Sequence, residues 1–274
     1  MNAFLTRVKD ELSHYRASRR CCQIAELSSL LHLEGSITLK GRGSQLLVTE
    51  SPHANTARKI YTLLHSLFEV ETPVLMVERS SPRRRTTYRI EVPDQPGYHQ
   101  IMNELGVLDS SLNPEPTIPL WLTRNDCCAS AAIRGAFLGG GFVSDPYGPA
   151  DLEIAFSTSE AALSFLELFR RRSLEPRMRW RNNMCVLYMK KRSDISRLLA
   201  VTGAHSAHLE WESRTILNAT KNEVNRLVNC DTANARRLAL ASARQCEMLS
   251  QLLEEEALAG VDGVLLETAR ARLA

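Results

Sequence analysis

Residues 131–143 read AAIRGAFLGGGFV, with glycine at positions 135, 139, 140 and 141. The run begins as helix-compatible apolar sequence, yet each interior glycine costs a helix about 1 kcal/mol relative to alanine. Four glycines in seven residues point to close backbone approach by a neighbouring element. The chain must therefore hold a second helix able to pack directly against this one.

A repeat supplies it. Periodicity predicts a short amphipathic helix over 2–12, then a helix over 22–34 that ends at Gly35, the usual glycine just past a helix end. Strands 36–39 and 45–49 flank a Gly41-Arg42-Gly43 turn. A helix follows from Ser51-Pro52 to about Phe68. Strands 74–77 and 86–92 are joined by the basic turn Ser80–Arg85, and a short helix covers 98–106. Pro114, Pro116 and Pro119 then mark a linker. The pattern recurs with a helix over 124–140, a strand from Phe142-Val143 and a strand over 152–156. A helix to about Arg171 follows, opened by the capping-box pair Ser157 and Glu160. Strands 178–180 and 184–189 and a helix over 194–203 complete it.

Gly35 and Gly141 are 106 residues apart, and the same offset takes Val48 to Ile154 and Val74 to Trp180. The last strand and helix correspond nearer 98, because the second turn is shorter. The order helix–strand–strand–helix–strand–strand–helix thus occurs twice. It implies an α+β fold of two antiparallel sheets, each with helices on one face, meeting at the pair of helices 22–34 and 124–140. Gly135 and Gly139 would let the two backbones meet. Residues 205–256 lack proline and suggest two or three helices, the last ending near Gly260; Val261–Ala274 begins another.

Composition narrows the classes. The N-terminus carries both charge signs and no long apolar core, and no run of about 18 apolar residues occurs, so neither a signal peptide nor a membrane span is expected. Two of the cysteine pairs are adjacent, Cys21-Cys22 and Cys127-Cys128, without CxxC or other zinc spacing. An odd total of seven without a framework reads as reduced thiols buried as small apolar residues. Net charge is +3, with +5 in residues 1–203 and −2 in the tail, a weak bias of the first part toward an anionic partner.

The aligned helices carry a known signature. Leu27-Ser28-Ser29-Leu30-Leu31-His32-Leu33-Glu34-Gly35 resembles the LAGLIDADG motif of homing endonucleases, and Ile133-Arg134-Gly135-Ala136-Phe137-Leu138-Gly139-Gly140-Gly141 resembles it again. Arg134-Gly135-Ala136-Phe137, Gly203-Ala204-His205 and the run from Asn225 to Asn234 are similar to the WhiA family of bacterial transcriptional regulators. That resemblance covers essentially the whole chain. It implies two pseudo-symmetric LAGLIDADG-like αββαββα repeats followed by an all-α tail. The first repeat with its N-terminal helix takes 1–107, a Pro-rich linker 108–123, the second repeat 124–203 and a helical connector 204–260. Residues 261–274 are expected to be only the start of a C-terminal helix-turn-helix domain, truncated before its recognition helix. Members are implicated in sporulation and cell division, which implies a cytoplasmic, nucleoid-associated regulator whose double-stranded DNA contacts lie mainly in that missing domain.

In the nucleases the acid ending each motif helix helps hold a divalent metal beside the scissile phosphate, so a pair is needed. Here the first position is Glu34 and the second Gly140, which offers no ligand; His32 and Leu138 do not restore the pair, and Asp145 lies beyond the strand start. No cleavage, cofactor or metal is expected, and Glu34 reads plainly as a solvent-facing residue near a helix end. His205 and His208 lack a third ligand, and Asn225, Asn229 and Asn234 read as helix-packing and capping groups. DNA-backbone candidates are Arg83, Arg84 and Arg85 in a turn, Arg177, Arg179 and Arg181 alternating along one strand face, and Lys190 and Lys191 at the end of the next strand. The open sheet faces of the resembling nucleases form a saddle over DNA, and the second repeat is the better candidate. The alternatives are an active metal-dependent endonuclease, or a protein-interaction module that has lost DNA.

Overall fold

A computed structural model describes residues 2–40, 44–79, 85–254, 260 and 262–273. The chain divides into two compact units, Met1–Thr215 and Ile216–Ala274. In the first, α1 (Ala3–His14) precedes α2 (Arg20–Glu34), β1 (Gly35–Leu39), β2 (Gln45–Ser51), α3 (Ala54–Phe68), β3 (Val74–Arg79), β4 (Arg85–Pro93) and α4 (Tyr98–Glu104). The same order returns as α5 (Asp126–Gly140), β5 (Gly141–Val143), β6 (Leu152–Phe156), α6 (Ser159–Arg171), β7 (Arg177–Arg181), β8 (Met184–Met189) and α7 (Arg192–Thr202).

Each repeat folds its strands into one antiparallel sheet, ordered β1-β2-β4-β3 and β5-β6-β8-β7. Two hairpins thus lie side by side through their inner strands, and the identical order is the structural face of the duplication. The registers refine the alignment. Gly35 pairs with Thr49 and Gly141 with Ile154, because the second hairpin is one residue shorter. Thr49, not Val48, therefore corresponds to Ile154. By the same rows Val74 corresponds to Met178 rather than Trp180. A one-residue slip matters because it exchanges the two faces of a strand.

The helices α2 and α5 are buried almost all round, as helices apolar on every side must be. They run parallel: Cys22 meets Cys128 at one end, and Leu33 lies against Gly139 at the other. A side-chain carbon at position 135 would stand 2.4 Å from the Glu26 carbonyl oxygen and 2.8 Å from the Ser29 β-carbon. Gly135 is thus a packing requirement. A single hydrophobic cluster runs through both repeats. Gly35 and Gly141 are not left-handed caps; both are extended (φ −89° and −84°) and open a strand directly. The expected capping box is also displaced: Thr158, not Ser157, caps α6 by accepting from the Ala161 amide.

The N-terminal helix belongs to both repeats. The Asn2 side-chain amide donates to the Val143 carbonyl at 2.9 Å, and the Glu11 carboxylate accepts from the amides of Ser206 and Ala207. The expected linker packs as well, burying Ile118, Leu122 and Thr123.

α8 (His205–Glu254) is one helix, where two or three were expected. It contains neither glycine nor proline, and asparagine costs a helix only about 0.7 kcal/mol per residue, too little to end it. α9 (Gly263–Leu273) follows. Within the second unit, Asn225, Asn229 and Asn234 lie exposed in mid-helix, so they neither pack nor cap. Among the described residues no helix is long and apolar enough to cross a membrane.

Candidate nucleic-acid interface

The paired helices carry a charged core that sequence periodicity does not reveal. Glu26 on α2 is buried and accepts a bidentate pair from Arg134 on α5, at 2.9 and 2.8 Å. Lys59 on α3 reaches the same carboxylate at 2.5 Å and donates to the Leu12 and Tyr15 carbonyls. Arg134 also donates to the Thr202 carbonyl at 3.0 Å and stacks 4.2 Å from the centre of the Tyr15 ring. Burial pulls the Lys59 amine below its ordinary range, and Glu26 opposes that. With every polar end satisfied, the triad fixes how α2, α3, α5 and the end of α7 meet.

At the opposite ends of α2 and α5 lie the motif positions. Glu34 is not solvent-facing. Its Oε1 accepts from Ser51 Oγ at 3.1 Å, while Oε2 is buried without a hydrogen-bond partner. Burial pushes the carboxyl up to about 8, against the Ser51 hydrogen bond and the Lys9 charge. Lys9, from α1, is itself lowered by burial to about 8 and donates to the Leu138 carbonyl at 3.0 Å. Burial outweighs the attraction between the two groups on both sides. His32 hydrogen-bonds back to the Ser28 carbonyl through Nδ1 at 2.7 Å and is held below its ordinary pKa by burial.

The endonuclease resemblance implies a divalent cation between these helix ends, and the residues present do not fit one. A hard cation requires several ionised or carbonyl oxygens. Glu34 favours its protonated form at neutral pH, and Lys9 already supplies a cation beside it. A β-carbon at position 140 would stand 2.5 Å from the Ala155 carbonyl oxygen and 2.9 Å from Leu33 Cδ2. Gly140 thus joins Gly135 and Gly139 as a packing glycine, and the place of the second acid is filled by β6 and α2.

The strand registers place the charged residues of the open sheet faces. On the second sheet, Phe142, Glu153, Tyr188 and Arg177 form one cross-strand row, and Ala155, Val186 and Arg179 form the next. Arg177, Arg179 and Arg181 share this face, as strand alternation requires. Arg179 and Arg181 both pair with Glu153, Arg181 at 3.2 Å, and Arg179 stacks 4.8 Å over Tyr188. Among the described residues Arg177 makes no ion pair and is exposed. Lys190 pairs with Asp151 at 2.7 Å, while Lys191 is exposed at the start of α7. On the first sheet the corresponding face holds Arg89 between Glu50 and Glu91. Among the described side chains, the second face gathers three arginines around a glutamate, and the first holds one arginine between two glutamates, with the backbone positions of Arg79 and Arg85 on the same face by register. Arg83 and Arg84 lie outside the described residues, and Arg85 is placed by its backbone at the start of β4. His208 is held by Ser196 Oγ at 2.9 Å, inside the first unit.

Three family models match successive parts of the chain: the WhiA N-terminal LAGLIDADG-like domain over residues 20–108, the WhiA LAGLIDADG-like domain over 129–221 and the WhiA C-terminal HTH domain over 224–274. The chain belongs to the WhiA family. The probable cell division protein WhiA of Heliobacterium modesticaldum is 35% identical over 99% of this chain and 85% of its own length. That of Desulforamulus reducens is 36% identical over 99% and 84%. A crystal structure of full-length DUF199/WhiA from Thermatoga maritima superposes over 98% of this chain and 85% of that one, with a TM-score of 0.65 and 22% identity. It shares the fold.

The WhiA matches correct one expectation. The helix-turn-helix domain was placed beyond Ala274, with 261–274 as its entry, whereas the matched span begins at residue 224 inside α8. The C-terminal domain expected to be missing is present in the chain. Sequence periodicity also passed over Lys9, Glu26, Lys59 and Glu153. Lys9 and Lys59 sit on amphipathic helices where a charge ordinarily faces solvent, and Glu26 sits on a helix buried almost all round, so only tertiary packing reveals their partners. Glu153 was legible as sharing the face of the arginines, one strand removed from them, once the strand order and register were known.

Proposed function

We propose that this chain is a non-cleaving, DNA-binding regulator of the WhiA type, acting in cell division or sporulation. The observation that carries the reading is the match of residues 224–274 to the WhiA C-terminal HTH domain, a motif that reads base edges in the major groove. The relatives' names, probable cell division proteins, support the process. The open face of the second sheet supports a subsidiary role. Arg177 and Lys191 would take phosphate contacts that position the duplex without reading its sequence. Arg179, Arg181 and Lys190 contribute less, since each already faces a carboxylate. Arg83, Arg84 and Arg85 are proposed as phosphate contacts on their place in the sequence alone. Such a protein works in the cytoplasm beside the nucleoid.

The motif ends support a loss of cutting. One buried carboxyl and one glycine closed in by Ala155 do not make the pair of ligands that a metal for strand cleavage needs. The test is a gel assay of the intact chain on supercoiled DNA with Mg2+ or Mn2+. Retarded but intact supercoils are expected. Nicking that disappears in Glu34→Gln would overturn the reading in favour of an active endonuclease.

A further inference from the structure

Four of the seven cysteines lie in the first turns of the paired helices, three of them with their sulfurs together. The first turns of α2 and α5 lie side by side, and the 106-residue repeat offset lays Cys127-Cys128 on Cys21-Cys22. The pseudo-twofold relation between repeats therefore delivers one vicinal pair from each. The Sγ atoms of Cys21, Cys22 and Cys128 all lie within 4.8 Å of one another, with Cys22 and Cys128 at 3.9 Å. Cys127 precedes Cys128 in the first turn of α5, and Arg19 donates to its sulfur at 3.8 Å. None of the four is in a disulfide. Cys22 and Cys128 are buried, Cys127 is half-buried and Cys21 is exposed, so the sulfurs lead from the surface inward.

We propose that Cys21, Cys22 and Cys128, completed by Cys127, form a thiolate site for one Zn2+ ion at the N-terminal ends of the paired helices. The site lies at the far end of α2 and α5 from Glu34 and Gly140, and it is independent of DNA binding. Three features point to it. The first is spacing: zinc–sulfur bonds of about 2.3 Å in a tetrahedron put neighbouring sulfurs ~3.8 Å apart, close to the Cys22–Cys128 separation. An iron–sulfur cluster interposes its own inorganic sulfurs and would need the cysteines further apart. The second is chemistry, since a set of sulfur ligands selects a soft ion and rejects Mg2+ and Ca2+. The third is charge. Four thiolates around Zn2+ leave a net negative site, and two helix N-termini with Arg19 beside them provide the compensating field.

Binding must displace protons. Zinc affinity should therefore rise with pH. The linear spacing hid the site, because no two of its halves are close in sequence; the repeat offset is the signal that exposes it.

The experiment uses the intact reduced chain, purified without chelator. Elemental analysis should find one zinc per chain. After removal of zinc, Co2+ should bind at one equivalent, with thiolate-to-metal charge-transfer bands and the intense visible bands of a tetrahedral ion. Altering an outer-shell partner of a metal typically costs 10–100-fold in affinity, so loss of a ligand should cost at least about 100-fold. Cys128→Ser tests a buried ligand. Cys21→Ser tests an exposed one whose loss leaves the core untouched, and Cys185→Ser, buried elsewhere, should change nothing. Absence of stoichiometric zinc, a Co2+ spectrum without sulfur charge transfer, a Cys22–Cys128 disulfide, bound iron–sulfur cluster, or unchanged affinity in folded Cys21→Ser would each overturn the proposal.

Discussion

A side chain at position 140 would have to occupy space already held by the Ala155 carbonyl and Leu33. The glycine is therefore a consequence of tight packing as well as the loss of a ligand, and restoring an acid there would first break the helix–strand contact. At position 34 the acid survives, but in the wrong ionisation state. Its folded pKa, about 8, exceeds the ordinary 4.5, so the folded chain holds a proton that the unfolded chain releases. Stability linked to Glu34 is complete below about pH 4.5, falls as pH rises toward about 8 and is level above it. Glu34→Gln should abolish this slope and raise stability near pH 8 by more than about 1 kcal/mol. Denaturant titrations at pH 5 and pH 8 on both proteins check it; a variant that keeps the slope would show that Glu34 is ionised in the folded chain. Arg134 differs in kind. Its partner Glu26 would be left buried with only Lys59 to meet it, and breaking such a pair is commonly worth 3–5 kcal/mol.

Among elements, the two sheets share strand order and differ in surface. Among the described residues Arg177 makes no ion pair on the second sheet, while Glu153 occupies Arg179 and Arg181. Each phosphate contact adds about 0.9 to the slope of log affinity against log salt. Arg177→Ala should flatten that slope by about 0.9 for non-specific duplex DNA. Glu153→Gln should steepen it by releasing two cations. A slope indifferent to both substitutions would remove this face from the DNA contact. The element order of both repeats was legible in the sequence, because apolar periodicity is local and the duplication checks each assignment against its copy. The registers were not. One residue fewer in a hairpin turn reassigns Ile154 from the open face to the core without altering composition. Nor could periodicity show that α8 continues unbroken, since no residue there stops a helix and its Asn-rich run only weakens one. The buried Glu26–Arg134–Lys59 triad was hidden because its partners come from three separate helices, and the cysteine cluster because its halves come from two repeats.

For the whole molecule, the ends of the paired helices are closed by packing, a buried acid and a lysine, while residues 224–274 carry the match to the WhiA C-terminal HTH domain. The proposed division of labour is recognition in the C-terminal part and, at most, backbone contact in the repeats. Selection from a random duplex pool measures it directly, comparing the intact chain with one ending at residue 215, the boundary of the first compact unit. The intact chain should enrich a defined sequence, and the shortened chain should retain DNA weakly, in a salt-sensitive way and without enrichment. The same sequence enriched by both chains, or no DNA retained by the intact chain, would contradict the assignment.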